Sequence, residues 1–266
     1  MQSALPDLSV HDTGPKLLLW NAEIRGNRAA MREKYLGIWQ TSTWREVANE
    51  VRKIACGLHV RGLKRGDKIS IIGDNRPRLY WTVLAAQSIG AVPVPIYQDS
   101  VAEETQYVLE HAESRFVIAE NQEQVDKVLE IKDRCPKVEV LLYCDPRGLR
   151  NYDVPFLHSY DDLIEEGQNF DTANPDFFLQ EVAKGQASDT SIMLYTSGTT
   201  GRPKGVVLNY TNILVSSLNA VKFEGLCEDD EILAYLPMAW VGDHIFSYGE
   251  SLCAGFCVAC PESADT

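Results

Sequence analysis

The sequence predicts an α/β protein, a doubly wound βαβ subdomain followed by the start of a second α/β subdomain. Three observations carry this expectation. Short apolar runs alternate with helical patterns at the spacing of parallel βαβ units. A polar, acidic stretch punctuated by Pro146, Gly148, Pro155, Gly167, Pro175 and Gly185 interrupts the alternation between Cys144 and Ser188. The alternation then resumes at Ser191 as strand, loop, strand and helix. A length of 266 residues accommodates one large domain or two modest ones. The expected division is residues 1–170 for the first subdomain, 171–188 for a linker and 189–266 for the start of the second.

Taken in order, Thr43-Trp44-Arg45-Glu46 has the reciprocal capping-box pattern, and Val47, Val51, Ile54 and Leu58 recur at helical spacing before Gly62. Ile69-Ser70-Ile71-Ile72, bounded by Gly73-Asp74-Asn75, reads as a strand. The next helix has Pro77 in its first turn and Gly90 past its end. Ala91–Ile96 is extended, but Pro93 and Pro95 cannot donate to a ladder, so its pairing should be partial or irregular. Ser100-Val101-Ala102-Glu103 reads as a second capping box, opening a helix that carries Tyr107, Val108 and His111. Phe116–Ala119 follows as a strand, Gln122–Ile131 as a helix and Val138–Tyr143 as a strand, and the loose region beyond should hold only short helical pieces. Ser191–Tyr195 and Gly205–Leu208 are strands flanking a loop, with a helix over Thr211–Lys222.

Composition narrows the function. The hydrophobic fraction of 45% and charged fraction of 24% are globular, not disordered or collagen-like. A net charge of −13 argues against nucleic acid as a partner. Residues 16–68 nevertheless carry 12 basic and 5 acidic side chains, a bias that suits solvated helix faces and, secondarily, peripheral contact with an anionic membrane. No apolar run reaches the length of a membrane span and the start lacks a secretory pattern, so a cytoplasmic location, peripheral at most, is expected. The seven scattered cysteines suit buried thiols better than a disulfide framework or a metal site.

The chemistry concentrates in residues 195–205, Tyr-Thr-Ser-Gly-Thr-Thr-Gly-Arg-Pro-Lys-Gly. Glycines let backbone N–H groups converge on an anion, hydroxyls add donors or metal ligands, and lysine supplies a point charge, so this mixture binds phosphate. It is not a Walker loop: Gly198 is followed by Gly201, Lys204 precedes Gly205, and the loop leads into a strand where a Walker loop leads into a helix.

The segment resembles the AMP-binding signature of the adenylate-forming superfamily. Thr43-Trp44-Arg45-Glu46, Gly66-Asp67-Lys68, Gly73-Asp74-Asn75-Arg76-Pro77 and Gly90–Tyr97 are similar to the long-chain fatty acyl-CoA synthetase branch. The resemblance implies the large domain of that superfamily and a reaction in which a carboxylate is adenylated by ATP, releasing pyrophosphate, before coenzyme A displaces AMP. It implies that Thr196, Ser197, Gly198, Thr199, Thr200, Gly201 and Lys204 hold the ATP phosphates. Within that set Thr196 and Lys204 are the catalytic candidates, and Thr196 is also a candidate Mg²⁺ ligand.

In Tyr235-Leu236-Pro237-Met238-Ala239-Trp240, Trp240 occupies a position where relatives commonly carry a histidine or aromatic residue beside the acyl site. If Val241–Cys253 is helical, His244 shares a face with Trp240 and both are candidate substrate contacts; the alternative is Trp240 as core filler and His244 as a satisfied histidine. Later landmarks of the superfamily are absent, so the chain is expected to be an N-terminal portion, inactive in isolation, with an apolar face beyond Thr266 that association, such as a homodimer, would cover. A ligase for an aryl or short-chain acid, or a non-catalytic nucleotide- or acyl-binding fragment, stays open beside the fatty acid reading.

Overall fold

A computed structural model describes residues 4–196 and 203–263. The chain runs α1 Gly14–Ile24, β1 Ala29–Tyr35, β2 Ile38–Thr43, α2 Trp44–Val60, β3 Lys68–Ile72, α3 Pro77–Ser88, β4 Val92–Ile96, α4 Ala102–Ala112, β5 Ser114–Ala119 and α5 Gln122–Ile131. It continues with β6 Val140–Tyr143, β7 Leu157–Ser159, α6 Tyr160–Ala173, α7 Phe177–Ala183, β8 Thr190–Thr196, β9 Lys204–Asn209 and α8 Tyr210–Glu224. β10 Glu231–Leu233, α9 Val241–Asp243, a π-helical turn His244–Gly249, α10 Glu250–Ala254 and β11 Cys257–Cys260 complete it.

The first sheet is parallel, in the order β4-β3-β5-β6-β7. Its strands are apolar on both faces because helices cover both. Ile69, Ile71, Phe116, Ile118 and Leu142 belong to the core shared with α2, α3 and α6. Ile72, Val117, Ala119 and Leu141 point the other way, into the core under α4 and α5. This is the doubly wound arrangement predicted from the alternation. The buried hydroxyls of Ser70 in β3 and Ser114 in β5 satisfy each other across the ladder at 2.7 Å.

Among the described residues β4 pairs only with β3. The Val92 amide donates toward β3, to Asp67 O, so by alternation Pro93 and Pro95 face outward, where a missing N–H costs nothing. β8 lies beside that edge without joining the ladder and pairs antiparallel with β9. A third sheet, β10-β11-β1-β2, combines β1 and β2 with strands from the far end of the chain. Nearby, buried Arg25 bonds Glu228 at 2.7 Å.

The Thr43 capping box forms as expected. The one at Ser100 does not: α4 starts at Ala102 with Val101 as its N-cap, because the Ser100 amide already closes a turn on Tyr97 O. Glu103 and Glu104 in the first turn complement the helix dipole instead. The region expected to hold only short helical pieces contains the 14-residue α6. Gly167, which resembles loop punctuation, is a contact glycine: a Cβ there would lie 1.8 Å from Lys53 O on α2. Residues 171–188 include α7, whose Phe178 and Val182 are in the core.

Gly167→Ala should therefore force α2 and α6 apart and destabilise the chain by about 3 kcal/mol, the upper part of the range for overpacking. Urea denaturation measures it, and a loss below about 0.5 kcal/mol would show that the helices do not meet at this glycine.

Candidate functional site

The loop that carries the phosphate-binding composition connects the two strands of an antiparallel pair. Thr196 and Lys204 face each other as the last register pair of β8 and β9, at the mouth of the loop. Both are exposed, and Lys204 makes no ion pair among the described residues. A hydroxyl and an ammonium side by side, without a competing acidic partner, suit a Mg²⁺-bound polyphosphate. Ser197, Gly198, Thr199, Thr200 and Gly201 lie outside the described residues. The strand expected after the loop is present, which sets it apart from a Walker loop.

The second element, Tyr235–Trp240, is held by residues that follow the carboxyl ends of β3 and β4. The Asn75 amide donates to Leu236 O at 2.7 Å. Tyr97, just past β4, lies beside Trp240, which offsets part of the rise that burial imposes on its phenol. Ligands of open α/β sheets bind outside the carboxyl ends of the strands, which is where this segment is tied.

Trp240 and His244 do not share a helix face. Trp240 is the N-cap of α9, with φ −93° and ψ 141°, so the four-residue helical spacing does not apply. Its side chain is 52% exposed, which also excludes the core-filler reading. His244 is buried, and its Nε2–H donates to Met238 O at 2.6 Å, the arrangement of a satisfied core histidine. Burial lowers its pKa to about 4, so the ring is neutral near pH 7. The helix expected over Val241–Cys253 is continuous but contains the π-helical turn His244–Gly249, where Gly249 closes on α8: a Cβ there would sit 2.1 Å from Ser217 Oγ.

The residues that sequence reasoning missed lie beneath this segment. Asp243 is fully buried; its Oδ1 accepts from the Tyr80 hydroxyl at 2.7 Å and from Asn75 at 3.4 Å, while Oδ2 has no partner among the described residues. Desolvation lifts its pKa to about 6. Both carboxyl oxygens of buried Glu250 are also unpartnered, and desolvation, with Glu224 nearby, lifts its pKa to about 7. Asp243 directly precedes His244, and a buried carboxyl beside a buried imidazole carries no periodic signal. Asn75 lies in a loop that did mark the family resemblance.

The cysteines are free, and burial raises the thiols of Cys56 and Cys253 to about 12. Among the described residues no group of three or more His, Cys, Asp or Glu could hold a metal, and no helix is long and apolar enough to cross a membrane.

The family model described as AMP-binding enzyme matches residues 18–266. The long-chain-fatty-acid–CoA ligase FadD15 of Mycobacterium bovis is 32% identical over 209 residues, covering 77% of this chain and 33% of that protein. The human long-chain-fatty-acid–CoA ligase ACSBG2 is 30% identical over 220 residues, 81% of this chain and 32% of that protein. The chain thus spans about a third of the length of these curated relatives. Among solved structures, anthranilate CoA ligase AuaEII in complex with anthranoyl-AMP superposes with a TM-score of 0.80 at 21% identity, over 96% of this chain and 46% of that one. Apo MatB of Rhodopseudomonas palustris superposes with a TM-score of 0.69 at 19% identity, over 94% and 45%. At these identities the structural matches speak for the fold.

The buried pair makes a pH prediction. Asp243, ordinarily near 3.8 and raised to about 6, gives stability that is full below about pH 4 and lost as pH rises through 6. His244, ordinarily near 6.5 and lowered to about 4, contributes oppositely: its stability is full above 6.5 and lost as pH falls towards 4. Asp243→Asn should therefore increase the gain in unfolding free energy between pH 4.5 and 6.5 by about 2 kcal/mol relative to the parent chain. Urea titrations at the two pH values test this, and an unchanged difference would mean that Asp243 ionises normally.

Proposed function

Because the chain belongs to the AMP-binding enzyme family, with residues 18–266 matched, we propose that it is the N-terminal part of an ATP-dependent fatty acid–CoA ligase. The observation that carries the reading is the Thr196/Lys204 pair at the mouth of the 195–205 loop, with no ion pair to Lys204 among the described residues. The long-chain-fatty-acid–CoA ligases among its relatives supply the substrate class.

In the proposed first step a carboxylate oxygen attacks the α-phosphorus of ATP, the bond to the β-phosphate oxygen breaks, and acyl-AMP and pyrophosphate form. In the second the coenzyme A thiol loses its proton and its sulfur attacks the acyl carbonyl, releasing AMP. Both steps need neutralised charge and an in-line approach more than covalent help from the protein. Lys204 would set its ammonium against the β- and γ-phosphates, and Ser197, Gly198, Thr199, Thr200 and Gly201 would supply further donors. The Thr196 hydroxyl, exposed and facing Lys204, fits a Mg²⁺ ligand. Mg²⁺, when bound there, would screen the polyphosphate charge.

Trp240, exposed and beside Tyr97, would border the acyl chain, and His244 would support this segment from beneath. We place the protein in the cytoplasm, with peripheral contact at a membrane where fatty acids partition, and keep a homodimer as a further proposal.

In the full-length ligase, Lys204→Ala should lower fatty acid dependent ATP–pyrophosphate exchange by about 100-fold, the usual scale for losing one preorganised charge contact; unchanged exchange would remove Lys204 from the reaction. Trp240→Ala should shift the profile of accepted acyl chain lengths in the same assay. An identical profile would detach this residue from the acyl site.

A further inference from the structure

We infer that Tyr107 and His111, one helical turn apart on α4, are positioning residues that hold the two arms of the β8–β9 hairpin at the separation the nucleotide loop requires. Tyr107 reaches one arm: its hydroxyl donates to Pro203 O at 2.9 Å, immediately before β9. His111 reaches the other, its Nδ1 lying 2.7 Å from the Tyr195 hydroxyl, one residue before Thr196. The two α4 rings stack with centroids 5.5 Å apart, and the Tyr195 ring meets them edge-on at 6.4 and 5.6 Å. One patch of α4 thus touches the chain on both sides of the segment 197–202.

Each partner suits this arrangement. Proline has no N–H, so the carbonyl is the one main-chain hydrogen-bonding group that Pro203 offers, and Tyr107 takes it. Tyr195 lies opposite Gly205 in the ladder, where a Cβ would come within 3.3 Å of the tyrosine Cζ. Glycine at 205 therefore gives the tyrosine ring room beside β9 while its hydroxyl meets α4. Burial pushes the Tyr195 phenol up to about 12, so its proton stays in place at neutral pH. The chain carries a tyrosine and a histidine four apart on α4, the spacing that brings both to one face. Both act through backbone and strand, at one remove from the phosphates.

This inference rests on the reading of the loop as the ATP phosphate site, and the experiment keeps the two apart. In the full-length ligase of which this chain is proposed to be the N-terminal part, Tyr107→Phe, His111→Ala and His111→Gln are compared with the parent and with Gln106→Ala, whose amide pairs with Glu110 at 3.0 Å on the solvent side of α4. One arm measures KM for ATP and for fatty acid separately in pyrophosphate exchange. The other follows amide hydrogen exchange of peptides covering β8 and β9.

Tyr107→Phe and His111→Ala should raise KM for ATP about fivefold each, the scale of one net hydrogen bond, leave KM for the fatty acid unchanged, and speed exchange in β8 and β9. His111→Gln, whose amide can still meet the Tyr195 hydroxyl, should recover most of the loss, and Gln106→Ala should match the parent. Faster hydrogen exchange with an unchanged KM for ATP would overturn the positioning role, as would no change in either arm. A full-length parent inactive in pyrophosphate exchange would count against the ATP reading, while the hydrogen-exchange arm would still decide whether α4 holds the hairpin.

Discussion

The first sheet ends where its hydrogen-bond donors end, and the placement of the candidate site depends on that edge. Pro93 and Pro95 face away from β3, leaving the outer side of β4 without N–H groups at those positions. β8 can lie beside that edge but cannot extend the ladder across it, so it pairs with β9 instead. A two-stranded ribbon is marginal by itself. Here it is anchored through its faces: Ile192 and Leu194 enter one core, and Met193 and Tyr195 pack with the other. A ribbon secured by side chains presents Thr196 and Lys204 to solvent without opening the sheet.

The same edge separates what could be read from the chain from what could not. The phosphate-binding character of 195–205 is local composition, legible because it depends on the residue types present and little on their surroundings. The Thr43 capping box is local in the same sense, closed within four residues. Ser100 has the same pattern and fails, because its amide serves a turn on Tyr97. Gly167 misleads for a different reason. It is a glycine required by a partner helix over a hundred residues away in sequence, and nothing in its neighbours distinguishes that from a glycine required by a turn.

The proposed acyl side of the site is the less legible half. Trp240 could be singled out by position, but its relation to His244 rested on helical spacing, and the helix begins one residue too late for that spacing to count. What supports the segment is a polar cluster assembled from three stretches of chain: Asn75 after β3, Tyr80 in α3 and Asp243 in α9. Low dielectric surroundings make such a cluster expensive unless its members satisfy one another. The unpartnered Asp243 Oδ2 shows that this one is satisfied only in part.

The sheet that joins β1 to β11 sets an order on folding. β1 and β2 can close locally as a hairpin, but Met31 pairs with Val258, and the Glu262 carboxylate accepts from the amides of Leu36 and Gly37 at 2.8 and 3.0 Å. More than two hundred residues must therefore leave the ribosome before the other edge of β1 finds its neighbour. Contacts of such long sequence separation slow folding and leave an unpaired strand edge exposed in the interval. During synthesis, the completion of β1 waits on β11.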